Sequence, residues 1–200
     1  MPEPCNVFYK VLGPNGEAVN GGHGQWPLPH DGQPGKWIKV TGPLRACQNG
    51  LHVCRLEQLV EWLGPTIWRI EIQGERIEQS DKIVARRGRL LSRCEGWTDT
   101  SARLFAVACA RRALEREREA GREPDTRSWN ALTVATDEQL IAARAASWAV
   151  VWAAEDAARA AEDAAGDAAW AAERQWQLTE LKKVLADWNR AEKKRNGGLG

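Results

Sequence analysis

No run of apolar residues in this chain approaches the roughly 20 that a bilayer span requires, so no membrane partnership is expected. Its first residues, M-P-E-P-C, have neither the basic nor the apolar region of a secretion signal, which points to a cytoplasmic protein. An excess of one charge sign is also missing. With 28 Lys and Arg against 27 Asp and Glu the net charge is +1, so no overall field favours nucleic acid or an anionic lipid surface. Five cysteines, an odd number without an export signal, argue for reduced thiols rather than a disulfide framework. The sequence has no Walker loop, no H-E-x-x-H helix, no G-x-S-x-G elbow and no paired C-x-x-C set, which removes the commonest phosphate-binding, hydrolytic and zinc-ribbon signatures. Phenylalanine and tyrosine are nearly absent. Eleven tryptophans stand beside two Phe and one Tyr, so tryptophan must supply most of the aromatic bulk for core and contacts.

What is present changes character near Trp97. Glycine, proline and short runs of alternating polarity dominate residues 1–96, and alanine, arginine and acids at helical spacing dominate residues 97–200. The expected fold is α+β, a small mainly-β N-terminal domain followed by a long Ala-rich helical region. In the first part N-V-F-Y-K-V-L reads as a strand and G-P-N-G as a turn. The stretch from Asn20 to Trp37 is too rich in Gly and Pro for regular structure and reads as an ordered loop pinned by Trp26 and Trp37. L-E-Q-L-V-E-W-L has the apolar spacing of a short helix, and T-I-W-R-I-E-I-Q-G and K-I-V-A-R-R-G-R-L-L read as strands. In the second part a helix is expected to about Ala120, capped within Thr98 to Ser101 and ended at Gly121. A longer helix is expected from Thr136 or Asp137. It carries a seven-residue repeat between Ala153 and Ala172 that stacks Glu155 over Glu162 and Asp156 over Asp163 as a wet stripe, while its alanines admit another helix closely. The last ten residues, A-E-K-K-R-N-G-G-L-G, read as a frayed basic tail.

Chemistry concentrates in C-Q-N-G-L-H-V-C. Cys47, His52 and Cys54 are soft or borderline metal ligands around Gly50, and His23, His30 or Cys5 would complete a tetrahedral zinc site. The spacing is not that of the usual zinc modules, so buried thiols and a hydrogen-bonded imidazole are the favoured reading, and no cofactor beyond that candidate zinc is expected. A second set, Trp26, Trp37, Arg86, Arg87 and Arg89, offers the residue types that anchor protein interfaces. The Arg-rich strand would also suit phosphates, although a solvated edge is favoured over nucleic acid. A third reading makes His52 the ligand-polarising group of an enzyme on a nucleotide or ADP-ribose-type substrate. Glu71 or Glu75 would then be the base, or a Cys/His pair the nucleophile.

The order Y-K-V, C-x-x-G-L-H-x-C, W-x-I-E-I-x-G-E and D-K-I-V followed by an Arg-rich strand, over about residues 8–93, resembles an uncharacterised domain family of phage and bacterial genomes. That family has a C-x-x-G-[FL]-H-x-C element. The Ala-rich half is similar to bacterial proteins labelled as immunity proteins. The resemblance implies no reaction and no catalytic residue. It implies context, a phage, prophage or accessory gene product inside a bacterial cell. In that setting the Trp and Arg residues and the helical arm favour a non-enzymatic binding or assembly protein, cytoplasmic or virion-associated, with a protein partner or a second copy of itself.

Overall fold

A computed structural model of the chain describes residues 7–119, 121 and 167–196. The expected start of the long helix, most of its repeat, and Cys5 lie outside these residues. The chain divides between Glu95 and Gly96 into two compact units. An antiparallel sheet in the first and two helices in the second make the fold α+β.

The first unit has strands β1 (Phe8–Leu12), β2 (Ile38–Lys39), β3 (Leu51–Val53), β4 (Thr66–Glu78) and β5 (Ile83–Arg93), with a 3-10 turn at Leu59–Trp62 before β4. The β4–β5 hairpin is its spine. Two bulges, between Arg69 and Ile70 and between Gln73 and Arg76, interrupt the β4 register. Gly74, at φ 80°, supplies the left-handed backbone in the second. Each bulge bends the strand, so the hairpin curls. The first half of β4 pairs with β1 (Phe8 opposite Ile70, Leu12 opposite Thr66), and the start of β5 pairs with β3 (Val53 opposite Ile83). Tyr9 and Cys54 then exchange backbone hydrogen bonds at 2.8 and 3.0 Å, closing β1, β4, β5 and β3 into a ring. β2 adds to β5 outside it.

Strand periodicity places Phe8 and Leu12 on one face of β1, with Trp68 and Ile70 of β4, Leu90 and Ile83 of β5 and Val53 of β3 in the same buried cluster. Trp26 packs into that cluster from the loop. L-E-Q-L-V-E-W-L forms a 3-10 turn rather than an α-helix. The Gln58 side chain accepts from the Arg55 amide at 2.8 Å and donates to the carbonyls of Gln79 and Ser80 at 3.0 Å, tying the segment to the hairpin loop before a second helical turn can form.

In the second unit α1 spans Asp99–Glu119 and α2 spans Asp167–Asn196. Thr98 and Ser101 form reciprocal amide-to-hydroxyl bonds at 2.8 and 3.1 Å, satisfying two amides at the start of α1. Gly121, at φ 75°, ends it in the left-handed conformation. α2 runs on to Asn196, so six residues expected in the frayed tail are helical. Lys and Arg are good helix formers near a C-terminus, where they complement the helix dipole.

Candidate functional site

β1 and β3 meet at the Tyr9–Cys54 pair and leave a pocket of about 140 Å³ beside it. Lys10 and Val11 line one side, Gly50 to Cys54 the other, and Asn20, His23, Trp26, Trp62 and Lys82 the remainder. Lys10 occupies the core-facing position between Phe8 and Leu12, opposite Trp68. Its ammonium donates to the His52 carbonyl at 2.9 Å and lies 5.6 Å from the centre of the Trp26 ring. Burial pulls its pKa down to about 8, against a smaller upward pull from Cys54. Lys82 is held by Asp81 at 2.6 Å and lies over the Trp62 ring at 5.1 Å, while the Trp62 indole N–H donates to the Asp81 carbonyl at 2.7 Å. The hydrogen bond that Lys82 donates to the Asp81 carboxylate is the main cause that raises the Lys82 pKa.

The Cys47–Cys54 segment folds into a turn and then β3. Cys47 takes the left-handed conformation at φ 59°, and its backbone N–H donates to Nε2 of His52 at 3.1 Å. Nε2 is therefore the acceptor and the ring proton sits on Nδ1. Burial first, then the Lys10 and Lys82 charges, lower the His52 pKa, so the imidazole is neutral at physiological pH. The buried Cys54 thiol donates to the Tyr9 carbonyl at 3.6 Å. Burial pushes its pKa up to about 12 and outweighs the opposing pull of Lys10, which keeps it a thiol and a poor nucleophile. Cys47 is exposed. Among the described residues no three His, Cys, Asp or Glu side chains gather as a metal-ligand group. Of the expected fourth ligands, His23 lines the pocket, whereas the exposed His30 pairs with Asp31 at 2.8 Å in the loop.

The carboxylates expected to serve His52 stand elsewhere. Glu71 pairs with Arg89 at 2.8 Å and Glu75 with Arg86, both on the hairpin. No Asp or Glu lines the pocket.

Of the expected interaction residues, three converge. Trp37 precedes β2, whose pairing with β5 sets Lys39 opposite Arg87 and Ile38 opposite Gly88. Arg87 and Arg89, two apart on β5, share a face, and their guanidinium carbons lie 4.2 and 4.7 Å from the centre of the Trp37 ring. Glu71, directly across from Arg89, fixes that side chain. Arg86 points its donors to Glu75 and to the carbonyls of Val40 and Gly42, bracing the strand connection. Trp26, 6% exposed, is a core residue that anchors the loop.

Sequence reasoning did not single out Lys10 or Trp62, and it read Lys82 only as the start of the basic stretch that continues into the Arg-rich strand. A readable signal existed for Lys10, a charge at the even position of an otherwise apolar strand. Compared with protein-family models, curated proteins and solved structures, the chain matches none. Among the described residues no helix is long and apolar enough to cross a membrane.

Proposed function

We propose that this chain is a non-enzymatic binding protein of phage or prophage type, which engages a protein partner, or a second copy of itself, through the Trp37–Arg87–Arg89 face of its first unit. The observation that carries this reading is the single indole that meets two guanidinium groups from one face of β5. Tryptophan and arginine are the residue types that most often dominate interface energy, and here their rotamers are ordered before any partner arrives. A cation–π contact is worth about 0.5–1 kcal/mol while exposed and about 2 kcal/mol when water is removed, so a partner covering this face strengthens both contacts. Net charge near zero also suits a mixed polar and aromatic interface better than a phosphate backbone. The phage setting rests on the resemblance carried by the C-x-x-G-L-H-x-C element, and the partner classes are a host factor, a defence component or a virion subunit.

The test is affinity capture from a bacterial lysate, with light scattering on the pure protein, for wild type beside a Trp37→Ala/Arg87→Ser/Arg89→Ser variant whose circular dichroism shows it to be folded. The reading expects one protein species, or a concentration-dependent increase in mass, in wild type alone. Identical behaviour of the two proteins removes this face as the binding surface.

A further inference from the structure

We propose that the pocket between β1 and β3 binds a compact oxyanion, a phosphate or carboxylate group on a small molecule with a planar or apolar body, through the ammonium of Lys10 with Lys82 at its rim. Three independent features of the pocket support it. Its lining includes two lysines and two histidines and no carboxylate. Lys10 donates to a neutral carbonyl and faces an aromatic ring, and among the described residues no acid pairs with it. That leaves a cation turned inward on a barrel strand with its charge uncompensated, an arrangement proteins avoid unless a counter-ion completes it. Finally, there is space beside it, about 140 Å³, and the walls include Trp26 and Trp62, which suit the flat body of a ligand.

The rest of the machinery agrees with binding rather than turnover. His52 is neutral with Nε2 already accepting from Cys47, and Cys54 is a protonated thiol donating to Tyr9. The charges facing Lys10 are the thiol of Cys54 and, through His52, Lys82 with its partner Asp81. The one anion among them, Asp81, is held by Lys82, which leaves Lys10 as the cation that an entering oxyanion would meet. Lysine, a compact point charge with three donors, suits phosphate and carboxylate alike.

The test uses the full-length protein labelled with ¹⁵N, titrated at low ionic strength with phenyl phosphate, benzoate and neutral phenol, with sodium chloride as the ionic control. The proposal expects saturable shifts of the Trp26 and Trp62 indole N–H signals with one or both anions and none with phenol or chloride. The tighter anion identifies the oxyanion class. Lys10→Met should weaken binding by about tenfold or more, the loss of one charge-assisted hydrogen bond. Should that variant fail to fold, Lys82→Gln, at the rim, is expected to weaken binding by a smaller factor in a folded protein. Absence of saturable shifts with either anion, phenol binding as well as the anions, or affinity unchanged in every folded lysine variant would overturn it.

Discussion

The Lys10 ammonium donates to the His52 carbonyl at 2.9 Å from the core-facing side of β1, between Phe8 and Leu12. One bond thus couples the two strands that frame the pocket, just beyond the Tyr9–Cys54 pair that closes the barrel ring. The same bond satisfies the His52 carbonyl, which β3 leaves turned toward β1, without neutralising the lysine's charge.

Lys10 should therefore make stability depend on pH with a particular sign. Its pKa falls from 10.5 to about 8 on folding. Between those values the unfolded chain holds a proton that the folded chain has released, so stability rises with pH across that window. The full shift corresponds to about 3 kcal/mol at most, reduced by whatever water reaches the group. Cys54 and Cys109, both pushed up to about 12, oppose this rise above pH 9, and Lys10→Met also removes a downward pull on Cys54, so the comparison is read between pH 8 and 9. Urea unfolding of wild type and Lys10→Met across that range isolates the lysine: the wild-type stability should gain on the variant through it. A constant difference would show that Lys10 is hydrated as freely when folded as when unfolded.

Gly50 is the residue that lets the Cys47–Cys54 turn enter β3. A Cβ built there overlaps Cγ1 of Val84, a fully buried residue of β5, and comes within 3.5 Å of Leu44. Gly50→Ala is expected to destabilise the first unit by about 1–3 kcal/mol through overpacking. Adding Val84→Ala should recover part of that loss, and denaturant midpoints of the four proteins in the cycle check it. Two additive penalties would mean that backbone conformation, not the overlap, makes the glycine necessary.

Sequence reasoning reached the elements whose causes are local and lost those whose causes are not. Strands β1, β4 and β5 announce themselves by apolar alternation and β-branched residues, and α1 by its cap at Thr98 and stop at Gly121. β2 and β3, two and three residues long, carry no period of their own and exist because β5 offers them an edge. Closure depends on Tyr9 meeting Cys54, 45 residues away, after two bulges have curled the hairpin. No spacing rule encodes that meeting. The Cys/His segment was conspicuous as chemistry, yet its residues serve different ends: an exposed thiol, a neutral imidazole tied to the turn, and a buried thiol against β1. The pocket residues Lys10, Trp62 and Lys82 come from three distant places, and folding alone brings them together.

Thiol chemistry separates the cysteines. Cys54, Cys94 and Cys109 are buried and Cys47 is exposed. With Cys54 and Cys109 pushed up to about 12, their thiolate fractions at pH 7 are on the order of 1 in 100,000. In a Cys5→Ser background a chromogenic disulfide reagent should titrate one thiol quickly and the others only at the rate of unfolding. Cys47→Ser should abolish the fast phase. A second fast thiol that Cys54→Ser removes contradicts the burial of β3 against β1.

The Arg–Trp face makes a smaller stability prediction, distinct from partner binding. Each guanidinium over Trp37 is partly exposed, so each contact should contribute about 0.5–1 kcal/mol. Double-mutant cycles pairing Trp37→Leu with Arg87→Met and with Arg89→Met measure these couplings. Arg89 also holds Glu71 across the hairpin, so Arg89→Met alone should cost more than Arg87→Met. Equal costs for the two arginines would mean that the Glu71 pair contributes nothing beyond its exposed geometry.

In the second unit one carboxylate serves two cations. Glu173 of α2, 5% exposed, accepts from Arg112 and Arg116 of α1 at 3.1 Å each and from Gln177 at 3.4 Å. Arg112 also lies 4.8 Å over the Trp176 ring. Removing the shared anion leaves two guanidinium groups facing a neutral amide, whereas removing one arginine leaves the carboxylate still paired. Glu173→Gln should therefore cost about 2 kcal/mol, less than a fully buried pair because both arginines reach water, and Arg116→Met distinctly less. Arg112→Met falls between them, since it also forfeits the tryptophan contact. Denaturant unfolding followed by the helical circular dichroism signal ranks the three, and a Glu173→Gln protein as stable as wild type would show that α1 and α2 are held by Leu178, Leu181 and Leu185 packing rather than by this charge cluster.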